Sequence, residues 1–208
     1  MERRGLVPFE IAAILAATIL IAWDPPPLGV IPVMVPLLMA ASAARWACGR
    51  SFGAVVRGPA SYVAIGAAAG VVALVLAIVI GSPIAESLSE RAVTWTAYPM
   101  VRGNLNAFMA FAVVVSAVAV ATELVLRGWI VERVLELGGS TGWAIFIAAF
   151  AEALLTDGPF EARLGGFIVG LGLGSMYIAA GRNLAVTVAA RLTFGLGALL
   201  LEVLRIVK

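Results

Sequence analysis

Histidine is absent from the 208-residue chain, cysteine occurs once, and charged residues make up only 12% of it, against about a quarter in ordinary globular domains. Each scarcity closes off a class of protein. Without histidine the most common general base and metal ligand is missing. With Cys48 alone there is neither an intramolecular disulfide nor a thiolate metal cluster. So little charge, combined with 62% hydrophobic residues and a mean hydropathy of +1.08, excludes a water-soluble fold. The net charge of +2 and a pI near 9.1 do not make a nucleic-acid surface, because the basic residues stand singly at segment ends rather than in a stripe. Lys208 is the only lysine and alanine is abundant, a bias typical of GC-rich bacterial genomes.

What the chain does have is a series of apolar runs, each long enough to cross a hydrocarbon core about 30 Å thick as a helix. The expected fold is all-α, a polytopic transmembrane bundle forming one domain over residues 1–208, with spans at roughly 9–23, 28–44, 60–81, 104–126, 141–156, 164–180 and 184–204. Pro25, Pro26 and Pro27 close the first span, since a helix does not run through three prolines. That span follows Arg3 and Arg4 and has no small-residue cleavage site, so it reads as retained rather than as a signal peptide. Gly103-Asn104, Gly138-Gly139-Ser140, Asp157-Gly158-Pro159 and Gly181-Arg182-Asn183 punctuate the later spans. The connection 82–103 is too long for a turn and carries Trp95 and Tyr98, residues that favour the headgroup level, so an interfacial amphipathic segment is expected there.

Arginines in short loops set the expected orientation. Arg3, Arg4, Arg45, Arg50, Arg57, Arg127, Arg133 and Arg182 fall on one side, which places the N-terminus in the cytoplasm of a bacterial inner membrane; Arg205 and Lys208 go against the pattern.

A charge inside hydrocarbon costs at least a few kcal/mol, so ionisable residues within spans normally face a partner inside the bundle. Glu10 and Glu202 lie near span ends, where a long side chain snorkels to water. Glu123 and Arg127 are four residues apart on one helical face, in the favourable order for an ion pair. Glu152 and Arg191 lie at matching depths of roughly 16 and 12 Å from the cytoplasmic starts of their spans, and a buried pair between them is the expected electrostatic solution. Gly166, Gly170 and Gly174, spaced by four, put a glycine face along the sixth span that is expected to pack inside the bundle rather than form a dimer.

The run Ala121-Thr122-Glu123-Leu124-Val125-Leu126-Arg127-Gly128 resembles the Glu-Glu-x-x-x-Arg-Gly signature of the CPBP family, the CAAX proteases and bacteriocin-processing enzymes also called Abi proteins. About thirty residues later, the span ending Ala151-Glu152-Ala153-Leu154-Leu155-Thr156 resembles the family's Phe-x-x-x-His helix. The glycine-rich stretch from Gly165 to Tyr177 is similar to its small-residue helix, and the segment through Arg191 to Gly195 to its closing His-x-x-x-Asn. The resemblance implies a CPBP-like helical core over residues 104–208, behind N-terminal spans in 1–103. In that family a glutamate activates water within the membrane, supported by histidines and an asparagine. Here Thr122 replaces the first glutamate, Glu152 and Thr156 fall where the phenylalanine and histidine belong, and Arg191 and Gly195 fall where the last histidine and the asparagine belong. Arginine is neither a metal ligand nor a base at neutral pH, and threonine is a weak ligand. No metal and no other cofactor is therefore expected. The resemblance then implies a catalytically degenerate member that serves as a scaffold or accessory subunit, with membrane lipid and another membrane protein or peptide as partners. Its rivals are an active endopeptidase using Glu123, with Arg127 beside it, and a small carrier whose polar path includes Glu152 and Arg191.

The arginine pattern makes a direct prediction about sidedness. Single cysteines introduced near Gly158 and near Arg182 should label with an impermeant reagent from opposite faces of the membrane, and labelling of both from one face would overturn the orientation.

Overall fold

A computed structural model describes residues 60–89, 99–156 and 158–204. The expected spans at 9–23 and 28–44 lie outside the described residues, as do Trp95, Tyr98, Cys48, Glu10 and Asp157. Among the described residues regular structure is entirely helical, without a strand. Four helical stretches are long and apolar enough to cross a membrane: Ala60–Leu88, Leu105–Glu136, Phe160–Ala179 and Leu184–Val203. The chain is thus membrane-embedded by length and composition.

The first stretch comprises α1 (Ala60–Leu76), a π turn (Ala77–Gly81) and α2 (Ser82–Ser89). Pro83 has no N–H to continue an α-helical ladder. The chain solves this by widening the preceding turn, so that the backbone N–H of Ser82 donates to the Ala77 carbonyl, five residues back, and its hydroxyl donates to the same oxygen at 3.1 Å. The helix therefore continues past residue 81, where a loop was expected. After the 3-10 turn Pro99–Val101, Gly103 takes a left-handed φ of 67°, and the Asn104 side chain accepts the Ala107 N–H at 3.1 Å, capping α3 (Leu105–Val125).

α3 also runs further than its hydrophobicity indicates. A π turn over Leu126–Val131 carries it into α4 (Glu132–Glu136), giving a continuous helix of 32 residues. Arg127 and Arg133, expected in the loop after the fourth span, are helical and buried. The physical reason is that hydrogen-bonded helix satisfies the backbone in any buried setting, whereas a loop would leave polar groups without water. The helix stops at Gly138, with φ of 83°, and the Gly139 N–H returns to the Val134 carbonyl at 2.9 Å. Ser140 then caps α5 (Thr141–Leu155) by accepting the Trp143 N–H at 3.3 Å. α6 (Phe160–Ala179) begins directly after Pro159 and ends where Gly181 and Arg182 take φ of 68° and 66°. α7 spans Leu184–Val203.

The described residues fall into two compact units, 121–184 and 60–120 with 185–204. In the first, α5 and α6 form a tightly zipped hairpin. A Cβ at Gly174 would meet Ile145, at Gly170 the Cα of Ala149, and at Gly166 the side chain of Thr156, so the glycine face packs on α5. α5 has 15 residues, about 22 Å of helix, which is short for a bilayer span. In the second unit, α1 meets α7 through Gly66 and Gly70, a spacing of four again. A Cβ there would strike the Val186 and Ala190 carbonyl oxygens. This close backbone approach is how membrane helices gain van der Waals contact without a hydrophobic drive.

Gly70→Ala should therefore destabilise the second unit by about 1–3 kcal/mol, since the methyl would lie 2.8 Å from the Thr193 Cβ as well as against the carbonyl. Gly172→Ala, with nothing within 4 Å, should be neutral or stabilise by about 0.5–1 kcal/mol. Unfolding in mixed detergent checks both, and equal behaviour of the two variants would contradict the packing.

Candidate functional site: a buried arginine between two carboxylates

The first unit holds an ionic cluster built where α3 passes into its π turn. All six residues of that turn, Leu126 to Val131, are buried. π turns recur at functional sites because one extra residue per turn re-aims the side chains that follow. Glu123 and Arg127 sit four apart across the junction, and Arg127 Nη1 donates to Glu123 Oε1 at 3.1 Å. The pair is thus present as its spacing indicates, and both side chains are 0% exposed.

The other end of the guanidinium reaches the hairpin. Nη2 donates to Glu152 Oε2 at 2.7 Å and to the Gly170 carbonyl at 2.9 Å. Three segments of chain therefore meet on one cation. α5 supplies Glu152 from its last turn, α6 supplies a main-chain oxygen, and the α3 junction supplies Arg127 and Glu123. Gly170 makes this possible, because a Cβ there would lie 2.7 Å from the Ala149 Cα and 3.1 Å from Glu152 Oε2. Of the glycine face, this member both closes the hairpin and leaves the carboxylate its place.

The structure thus gives Glu152 an arginine that spacing alone did not assign to it. Arg191 and Gly195 stand on α7 in the other unit, where Gly195 faces Val115. Thr122 is buried beside Glu123 in sequence, and the Thr156 hydroxyl donates to the Glu152 carbonyl at 2.9 Å, so it closes the end of α5.

A second polar group lies one to three turns further along the same long helix and was not legible as a site. Glu132 Oε1 accepts the Tyr177 hydroxyl at 2.8 Å and Arg182 Nε at 2.7 Å, and the Arg182 guanidinium also pairs with Glu132 Oε2. Arg133 Nη1 donates to Glu136 at 2.8 Å. By sequence alone Arg133 and Arg182 mark only sidedness. The available signal was the run of charges Glu123, Arg127, Glu132, Arg133 and Glu136, which continues a helical series past the expected span end.

Chemically, the first cluster holds charge in place. Arginine does not deprotonate in proteins, so Arg127 is a permanent cation with directed donors. A general base must lie within hydrogen-bond reach of a proton to be removed, and Glu123 is buried with a guanidinium on one oxygen. Among the described residues no three His, Cys, Asp or Glu side chains come together as metal ligands would.

Removing one member of a buried ion cluster leaves the others uncompensated, a loss of about 3–5 kcal/mol in soluble proteins and less within membranes. Arg127→Gln should destabilise the protein by an amount near the lower end of that range, and adding Glu152→Gln should recover part of the loss. Additivity of the two changes would show that the contact carries no coupling energy. No protein-family model, curated protein or solved structure matches the chain.

Proposed function

We propose that the protein is a CPBP-like, multi-pass protein of the bacterial cytoplasmic membrane, with its N-terminus inside, that has kept the family's Glu-Arg remnant as a structural clamp. In this reading it acts as a membrane scaffold or accessory subunit for another membrane protein or peptide. The supporting observation is the three-way seat of Arg127 on Glu123, Glu152 and the Gly170 carbonyl, fully buried. A catalytic carboxylate needs a water molecule and a developing negative charge to stabilise. Glu123 instead has a fixed cation across one oxygen, and the chain has no histidine to share the task.

The same cluster gives an accessory role a physical basis. It pins the α3–α4 helix to the α5–α6 hairpin, and a rigid pair of elements is what a partner helix requires of a docking surface. The rival reading, an endopeptidase using Glu123, needs that carboxylate released from Arg127 and wetted.

Glu123→Gln separates the readings, because the amide keeps size and hydrogen bonding while deleting the base. Glu152 and the Gly170 carbonyl still hold Arg127, so in cells the variant should lose some stability yet insert and retain its function, with native-membrane purification recovering the same partner as the unmodified protein. Loss of a general base typically lowers a rate by about 10²- to 10⁴-fold. A folded, inserted Glu123→Gln protein that leaves uncut a membrane peptide cut by the unmodified protein would make the chain an enzyme.

A further inference from the structure

Of the two π turns described, only one has a covalent cause. Ala77–Gly81 precedes Pro83, which has no N–H for a regular ladder. Neither Leu126–Val131 nor α4 contains a proline, so every residue there has the N–H that a regular α-helix needs. Two donors inside the second turn, Arg127 Nε and Trp129 Nε1, are buried with no acceptor among the described residues. Its own bonding therefore does not favour the widened register, which is held by what the side chains grip on α6 and α5.

Helical register dictates what each grip requires. In a regular α-helix the residue that follows Arg127 on the same face is Val131, four positions on. The extra residue of the π turn brings Glu132 to that place instead. Both residues accordingly reach α6, Arg127 at the Gly170 carbonyl and Glu132 at the Tyr177 hydroxyl and at Arg182 just beyond the helix. Straightening the turn has two possible results. With α3 fixed, Val131 replaces Glu132 opposite Tyr177 and Arg182; with α4 fixed, Gly128 replaces Arg127 opposite Glu152 and Gly170.

The two grips are unequal. Arg127 is fully buried, and unseating it would leave Glu152, itself buried, facing a glycine. The Arg182 side chain is 49% exposed, so losing Glu132 strands no buried cation. Release also lets Arg182 leave its left-handed φ of 66°, a conformation that costs a residue with a side chain free energy. Beyond α4, Gly138 has open space about its Cβ position and can absorb a rotation before α5 begins. We propose that the π turn is a register latch. It is closed while Tyr177 and Arg182 hold Glu132; it opens when α4 turns by one residue position, about 100° and about 1.5 Å along its axis, with Arg127 still seated and the turn at 181–183 let go.

The test uses the full-length protein in phosphatidylcholine nanodiscs, in a Cys48→Ser background, with nitroxides at Leu137→Cys, where α4 ends, and at Gly172→Cys on α6, whose Cβ position has nothing within 4 Å. Pulsed electron resonance reads the distance between them. Glu132→Ala should displace the main distance by about 5 Å, the chord that a turn of about 100° gives a side chain on a helix. Deletion of Ile130 removes the extra residue and leaves Arg127 and Glu132 four apart, in register with both grips. The deletion alone should therefore keep the original distance, and combined with Glu132→Ala it should restore it. An unchanged distance in Glu132→Ala overturns the proposal. So does a displacement that the deletion fails to reverse, since α4 would then have lost its packing rather than changed register. Tyr177→Phe with Arg182→Gln removes the grip from the other side and should give the same displacement as Glu132→Ala; the original distance in that double variant would also refute the latch.

Discussion

An arginine that cannot lose its proton is the fixed point around which the first unit is arranged. In water Arg127 would be indifferent to its neighbours, but 0% exposed it must find acceptors for its donors and negative charge for its own. Glu123 on the same helix satisfies one edge. The second edge needs a carboxylate from elsewhere and an oxygen that is not a side chain, and these come from Glu152 and from Gly170. Because a main-chain carbonyl has no flexible stem, the demand passes to the backbone of α6, which has to lie against α5 closely enough to bring both oxygens to one nitrogen. Small residues at the contact follow: Gly170 on α6 lies against Ala149 on α5, and Gly174 against Ile145.

The membrane character of the chain was legible because it rests on a summed property, hydropathy over some twenty residues, that no tertiary contact reverses. The punctuation was legible as well. Gly103, Gly138 and Gly181 stand at helix ends in left-handed conformation, and Ser140 caps the helix that its position announces. Helix continuation past 81 and 126 was not, because polarity was read as an end when π turns carried the helix onward. The Glu123–Arg127 contact followed from spacing within one helix, whereas the Arg127 to Glu152 contact spans 25 residues and depends on how two elements close. Gly66 and Gly70 repeat the spacing of four seen on α6, and they too serve close approach.

The π turn at Leu126 is where the two clusters of the first unit become one design problem. In a regular α-helix, residues 123, 127 and 130 or 131 share a face, and the face of 132 points elsewhere. Widening one turn by a residue rotates everything after it, and in this chain Arg127 is directed at the α5–α6 contact while Glu132 reaches Tyr177 and Arg182 near the far end of α6. One helix thereby grips α6 twice, once at the Gly170 carbonyl and once at the Tyr177 hydroxyl. Arg182 holds a φ of 66°, uncommon for a residue with a side chain, and such a conformation persists where surrounding contacts over-determine it. Its bidentate hold on Glu132 is one of those contacts, and the return of its N–H to the Tyr177 carbonyl at 2.8 Å is another. Straightening the π turn would have to break one grip to keep the other. That makes the widened turn, rather than either ion cluster alone, the element that commits α3–α4 to its position on α6.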